Sequence, residues 1–330
     1  MLFVSIIIPC YNEERTIRLL LEAIYHQTYP LSQLEVIIAD GLSTDRTREE
    51  IYNFQRKFSE LSIRIVDNPK RIIPSALNIA LSEAKGDIIV RLDAHSQPQS
   101  DYVERCVVDL SGGLGDNVGG VWDIHPGDSG WMAQSIAAAA AHPLAVGDAL
   151  YRYTDQSGEV DTVPFGAFYK KLVERVGLFN EGLLTNEDYE FNTRIKLAGG
   201  KVWIDPAIRA VYFARSNLAS LRQQYFRYGY WKFQMLRKYP KSIRWRQALP
   251  PLFILSLVGL AVISIFRPVA SSLLLLELLI YGLILIAVSY PVARRLGNLR
   301  LLLGIPLAIA TMHLSWGVGF LFSVIGPNQP

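Results

Sequence analysis

The last 83 residues, 248–330, hold only five charged side chains: Arg267, Glu277, Arg294, Arg295 and Arg300. A segment this poor in charge has almost no solvated face to offer as a globular subdomain, so a buried helical core is a weak reading of it. Leu249–Phe266, Val269–Ala293 and Leu301–Ile325 are apolar runs near the roughly 20 residues that a helix needs to cross a bilayer. They predict three transmembrane helices, broken at Arg267-Pro268 and across residues 294–300. Arg237, Lys238, Lys241, Arg244 and Arg246 precede the first span, and Arg294, Arg295 and Arg300 separate the second from the third. Positive charge favours the cytoplasmic side at both places. The N-terminal domain is therefore expected in the cytoplasm and the Gly326–Pro330 end outside.

Charge divides the remainder. Residues 1–205 hold 19 Lys and Arg against 29 Asp and Glu, a net of −10, while residues 206–247 hold ten basic residues and no acid. The formal net charge of +3 thus conceals an acidic domain, a basic collar and a nearly uncharged tail. The expected domains are residues 1–215, an α/β domain; 216–247, a basic and aromatic interfacial collar; and 248–330, the membrane domain. With 50% hydrophobic residues over 330 positions, a disordered chain and a small disulfide-stapled one are excluded. Met1–Pro9 ends in proline and has no charged leader, so no signal peptide is expected. Cys10 and Cys106 have no pairing or metal-type spacing, which suits a reducing compartment. The alanine run 137–141 predicts a close-packed helix.

Along residues 1–125 strands alternate with helices. Phe3–Pro9, Leu34–Ala39, Ser62–Val66 and Asp87–Leu92 read as strands, with helices from Ile17 and near Asp45–Phe58 and Pro74–Ala84. Continuously apolar strands joined by helices mean a mainly parallel sheet covered on both faces. Such sheets bind ligands at the strand C-termini. Those ends are polar and carboxylate-rich: Pro9-Cys10-Tyr11-Asn12-Glu13-Glu14, then Asp40-Gly41-Leu42-Ser43-Thr44-Asp45, then Asp93-Ala94-His95. Asn12, Thr44 and Asp45 also suit helix caps. No glycine-rich phosphate loop is present, so an anionic ligand at this acidic edge needs a divalent cation as bridge. Asp93 and His95 place a carboxylate and an imidazole two residues apart, a pair that fits Mg²⁺ or Mn²⁺ on a diphosphate.

Four segments then carry a resemblance. Val4-Ser-Ile-Ile-Ile-Pro-Cys-Tyr-Asn-Glu-Glu14, Ile38-Ala-Asp-Gly-Leu-Ser-Thr-Asp-Arg-Thr47, Arg91-Leu-Asp-Ala-His95 and Asn186-Glu-Asp-Tyr-Glu-Phe191 resemble, in order, the signature of glycosyltransferase family 2, inverting enzymes with the GT-A fold. The resemblance spans about residues 3–230. Thr162-Val-Pro-Phe-Gly-Ala-Phe168 and Gln223-Gln-Tyr-Phe-Arg-Tyr-Gly229 are similar, more narrowly, to membrane-anchored bacterial enzymes of exopolysaccharide synthesis. The implied fold is GT-A, Rossmann-like, followed by the transmembrane helices. The implied location is the bacterial inner membrane with the catalytic domain cytoplasmic.

The resemblance also implies roles. Pro9, Tyr11, Asn12 and Glu13 match the nucleotide-binding first loop, Asp40 the carboxylate that recognises the base, usually uracil, and Asp93 the first acid of the D-x-D metal motif. The second acid is here His95. Imidazole binds Mn²⁺ better than Mg²⁺, so either Mn²⁺ is favoured or Asp93 holds the metal while His95 meets a phosphate; a structural His95 also stays open. Arg71 is a candidate diphosphate partner or a solvated surface residue. Asp188 matches the general base, with Glu187 beside it as an acceptor or diphosphate contact, and the acids at 187–188 equally suit the first turn of a helix. Gln224, Arg227 and Tyr228 resemble the Q-x-x-R-W segment, with Tyr for Trp, that holds the acceptor beside the donor diphosphate.

Tyr225, Phe226, Tyr228, Tyr230, Trp231 and Phe233 interleave with Arg227, Lys232, Arg237 and Lys238, as an interfacial helix on anionic lipid requires. A plain amphipathic linker is the alternative, and nucleic acid is not an expected partner. Glu277 within the second span is neutral, paired with His313, or functional. Trp131–Tyr153 falls where the family places acceptor-side structure. The expected activity is transfer from a nucleotide-sugar, a UDP-sugar, to a hydroxyl of a polyprenyl-diphosphate-linked glycan. The alternatives are a polyprenyl-phosphate glycosyltransferase, a processive synthase and a non-catalytic sugar-nucleotide-binding membrane scaffold.

Overall fold

Val4–Cys10, a seven-residue run without a charge, and Leu34–Asp40, apolar but for Glu35 and Asp40, are buried at every position. Strands so uniformly buried need cover on both faces. In the computed structural model, which describes residues 1–326, the cover comes from helices between strands: β1 (Val4–Cys10), α1 (Ile17–Tyr25), β2 (Leu34–Asp40), α2 (Thr47–Lys57), β3 (Ser62–Asp67), α3 (Ile73–Glu83) and β4 (Ile88–Arg91). Val4, Ile6 and Ile8 of β1 pack with Ile17, Leu20, Leu21 and Ile24 of α1, whereas Ile7 points to the other face, against Leu77 and Leu81 of α3. Pro74 in the first turn of α3 costs no hydrogen bond there.

The chain continues through β5 (Gln97–Pro98), α4 (Tyr102–Ser111), β6 (Asn117–His125), α5 (Trp131–Ala140), α6 (Pro143–Val146), β7 (Gly158–Glu159), β8 (Ala167–Tyr169), α7 (Leu172–Val176), α8 (Glu187–Leu197) and β9 (Val202–Phe213). The sheet runs β3-β2-β1-β4-β8-β6-β9-β5, with β7 also on β9. The first four strands are parallel. The sheet is mixed beyond them, because β8 enters antiparallel between β4 and β6, and β5 and β7 pair antiparallel with β9. Phe191 and Ile195 of α8 close the α3 face.

Contacts divide the chain into two compact units: Met1–Asp123 with Ala149–Tyr212, and Ile124–Asp148 with the chain from Phe213 onward. The second unit holds α5, α6, α9 (Leu218–Lys238), α10 (Trp245–Ser264), α11 (Pro268–Arg295) and α12 (Leu301–Ile325). The last three are long and apolar enough to cross a membrane, and they support membrane anchoring. Gly326 is the last described residue of the end expected outside; 327–330 lie outside the described residues. The alanine-rich α5 is a packed helix, with Gly304 of α12 against its Ser135. The basic, aromatic α9 is also packed against α12: its Tyr225, Tyr230, Trp231 and Lys232 are buried, while Arg227 stays exposed. In α11 Glu277 accepts a hydrogen bond from Ser256 at 3.0 Å, and His313 bonds instead to the Tyr281 hydroxyl and the Leu144 carbonyl, each at 3.0 Å.

Candidate active site

The loops after β1 and β2 are stitched together. The Asn12 amide donates to Ser43 Oγ at 2.8 Å, Asn12 Oδ1 accepts from the Thr44 amide at 2.9 Å, and the Glu13 amide donates to Thr47 Oγ1 at 2.7 Å. Asp45 accepts from the Thr47 amide that opens α2 and from the Glu14 amide, so it caps one loop and ties in the other. Asn12 and Arg71 have positive φ, 55° and 54°. Asn tolerates this region; for Arg71 the surrounding loop has to hold it. The Arg71 guanidinium lies 5.7 Å from the Tyr11 ring centroid, and Tyr11 covers Gly41 so closely that a β-carbon there would stand 3.0 Å from its ring. Pro9 is buried in β1. Asp40 is wholly buried, and its carboxylate is held by Arg48 Nε at 2.5 Å and by the Ser43 amide at 3.1 Å.

After β4 the chain turns through Asp93 and His95. His95 is exposed, and its Nδ1 lies 3.0 Å from Glu13 Oε1, which joins the β4 loop to the β1 loop. A carboxylate on Nδ1 fixes the orientation of the imidazole, as carboxylates commonly do behind metal-binding histidines. Among the described residues no three His, Cys, Asp or Glu side chains cluster for a metal. At this edge Asp93 lies on Arg91 and His95 on Glu13; carboxylate and imidazole groups are of the kind that a divalent cation accepts beside phosphate oxygens and water.

Arg91, the last residue of β4, is 4% exposed. Its Nη2 donates to Asp93 Oδ1 at 3.1 Å and to Glu187 Oε1 at 2.8 Å; its Nε lies 3.4 Å from the same Asp93 oxygen. Its Nη1 is buried without a hydrogen-bond partner. Burial alone disfavours charge on this guanidinium, but Asp93, Glu187 and Asp188 more than offset it and keep it protonated. Glu187 and Asp188 open α8 after Asn186, which has φ 67°. Glu187 is buried against Arg91, and half-buried Asp188 accepts its neighbour Tyr189's amide at 2.7 Å. Burial pushes the Asp188 carboxyl up, the Asp93 charge adds to this, and Arg91 and the amide pull it down. A carboxylate so placed is a better proton acceptor than a solvated one.

Asp93, Glu187 and Asp188 are thus brought together through Arg91, which motif reading left without a role. Its signal was an arginine closing the otherwise apolar Ile88-Ile89-Val90 run. Residues 162–168 are held by Asn192 of α8, which donates to Thr162 Oγ1 at 3.0 Å, while Asn117 of β6 bonds Asn192 at 2.6 Å. Gln224 and Tyr228 lie on α9 of the second unit, hydrogen-bonded to each other at 2.9 Å.

Comparison with known proteins gives the family and the fold. Residues 5–177 match the profile of Glycosyl transferase family 2. A dolichyl N-acetyl-α-D-glucosaminyl phosphate 3-β-D-2,3-diacetamido-2,3-dideoxy-β-D-glucuronosyltransferase of Methanococcus voltae is 30% identical over 283 residues, covering 82% of this chain and 86% of the relative. Succinoglycan biosynthesis protein ExoA of Rhizobium meliloti is 33% identical over 254 residues, 74% of this chain and 73% of that one. Among solved structures, a mannosyltransferase from Pyrobaculum calidifontis in complex with GDP-Man and Mn²⁺ superposes with a TM-score of 0.68 at 21% identity, over 97% of this chain and 86% of that one. The TarS fragment 1–349 of Staphylococcus aureus with UDP-GlcNAc gives 0.52 at 14% identity, over 98% and 92%. The fold is GT-A, and the Methanococcus voltae relative is named a glycosyltransferase. This chain belongs to glycosyltransferase family 2.

Proposed function

We propose that the chain transfers a sugar, with inversion, from a nucleotide-sugar to a hydroxyl of a lipid-linked glycan at the cytoplasmic face of a bacterial plasma membrane. The observation that carries this reading is the meeting of Asp93 with Glu187 and Asp188 around Arg91 at the strand-end edge. Pro9, Tyr11, Asn12, Glu13, Asp40 and Arg71 serve the nucleotide, a uridine diphosphate in this proposal. Asp93 and His95 would hold Mn²⁺ or Mg²⁺, which when bound neutralises the charge developing on the leaving diphosphate. Asp188 removes the proton of the acceptor hydroxyl as its oxygen attacks the anomeric carbon and the bond to the diphosphate breaks. Gln224, Arg227 and Tyr228 serve the acceptor and its diphosphate, and α10, α11 and α12 keep the chain at the membrane that carries the lipid. The Methanococcus voltae relative is named for transfer to a dolichyl-phosphate-linked sugar, which supports a hydroxyl acceptor on a lipid-linked glycan. ExoA is named for succinoglycan biosynthesis, which supports exopolysaccharide or another surface polysaccharide as the product.

A base is needed for a hydroxyl and superfluous for a phosphate oxygen, which is already ionised. Asp188→Asn should therefore lower kcat with lipid-linked glycan acceptors by about 10³-fold while nucleotide-sugar binding persists. Unchanged transfer to a hydroxyl in that variant overturns the reading.

A further inference from the structure

Arg91 poses a physical problem. A fully buried guanidinium is costly to desolvate, and an unpaired buried donor such as its Nη1 adds a further penalty. A leucine or methionine at the end of this apolar strand would pack without either cost. What the arginine does that an apolar side chain cannot is stand between two carboxylates, Asp93 just after β4 and Glu187, 96 positions beyond the arginine at the start of α8, with one nitrogen, Nη2, shared between them.

We propose that Arg91 is a positioning residue that couples the two sides of the reaction: it holds the first turn of α8, and so Asp188, in register with Asp93, and through Glu187 it sets how much negative charge Asp93 presents to a divalent cation. This inference rests on the proposed cation site at Asp93. The coupling follows from the shared nitrogen. Glu187 neutralises part of the guanidinium charge; with that charge gone, Arg91 bears more strongly on Asp93 and competes with the cation. Conversely, removing Arg91 together with Glu187 releases Asp93 to the cation and detaches α8 from the β4 edge.

The test uses the full-length protein in detergent, with Mn²⁺ binding followed by electron paramagnetic resonance in the presence of UDP, or GDP where UDP does not bind. Glu187→Gln keeps the shape and the acceptor oxygen but not the charge; it should lower the melting temperature, since one buried counter-charge is lost, and, measured well below that temperature, weaken Mn²⁺ about tenfold. The double replacement of Arg91→Met with Glu187→Leu, an apolar pair for an ionic one, should fold, retain or tighten Mn²⁺ binding, and lose kcat at least 100-fold with little change in the KM for the donor. A residue with a merely structural role would move stability and leave this split between cation affinity and kcat unmade. Mn²⁺ affinity within twofold of the parent in Glu187→Gln, or full kcat in the double variant, overturns the coupling. Asp93→Asn separates the two ideas: loss of nucleotide-dependent Mn²⁺ binding there, with none in Glu187→Gln, overturns the coupling alone, whereas unchanged binding in Asp93→Asn overturns the cation site and the coupling with it.

Discussion

The two units of the chain solve opposite packing problems. In the first, ions are buried and balanced against one another: Arg91 between Asp93 and Glu187, Arg48 on wholly buried Asp40, Arg194 on wholly buried Glu190. In the second, acids are scarce and helices meet by missing side chains: Gly229 of α9 lies on the Trp316 carbonyl and Gly319 of α12 on the Phe226 carbonyl, where β-carbons would clash with those oxygens. Small residues that let backbones approach are the usual device of helices in a membrane, where hydrophobic burial gives no preference for protein over lipid. The first unit should accordingly be sensitive to charge and tolerant of modest volume changes, and the second the reverse.

Four experiments test that contrast. Chelation strikes hardest at the first unit: if Asp93 and His95 hold the cation, transfer should vanish with a chelator and return with Mn²⁺ at least as well as with Mg²⁺, and transfer indifferent to chelation removes the metal from this site. In the second unit Gly229→Leu forces a side chain into the Trp316 carbonyl and should destabilise the α9–α12 pair by about 3 kcal/mol or more, seen as a lower melting temperature. Gly259→Ala on α10 and Gly282→Ala on α11, where nothing lies within 4 Å of an added β-carbon, should leave stability unchanged; equal losses at all three positions would end the distinction.

The third test is of pH. Because burial raises the Asp188 carboxyl, the base is protonated and inactive on acidification sooner than an ordinary aspartate would be. The acidic limb of kcat/KM should then lie above the usual carboxylate range and fall tenfold per pH unit below it; a limb at the ordinary aspartate value denies Asp188 the role. The smallest effect is expected at Asp109, 7% exposed, whose Oδ2 has no partner and whose carboxyl burial, then the Asp205 charge, pushes up to about 6. An acid raised on folding favours the folded state fully below its unfolded value and loses that contribution as pH rises through about 6. Asp109→Asn should therefore gain about 1 kcal/mol at pH 8 and nothing at pH 3.5, measured by thermal unfolding.

The strands and helices of the parallel half were legible because each is a contiguous pattern: β1 spans Val4–Cys10 where Phe3–Pro9 was expected, and α3 spans Ile73–Glu83 where Pro74–Ala84 was. The three apolar helices were legible for the same reason. The antiparallel half was not, since β5, β7 and β8 are two or three residues long, too short for a period-two pattern to register. Nor did any local signal attach residues 124–148 to the C-terminal helices, a grouping made by contacts such as Ser135 with Gly304 and Leu144 with His313.

By itself the sequence determined the family, the strand-end motifs and the apolar tail, because motifs and hydrophobic periods are properties of neighbouring residues. Tertiary structure alone decided that β8 inserts antiparallel beside β4 and that the chain after it returns Glu187 to Arg91. Which buried charge answers which is fixed by sheet topology over 96 residues, and no local spacing records a contact of that range.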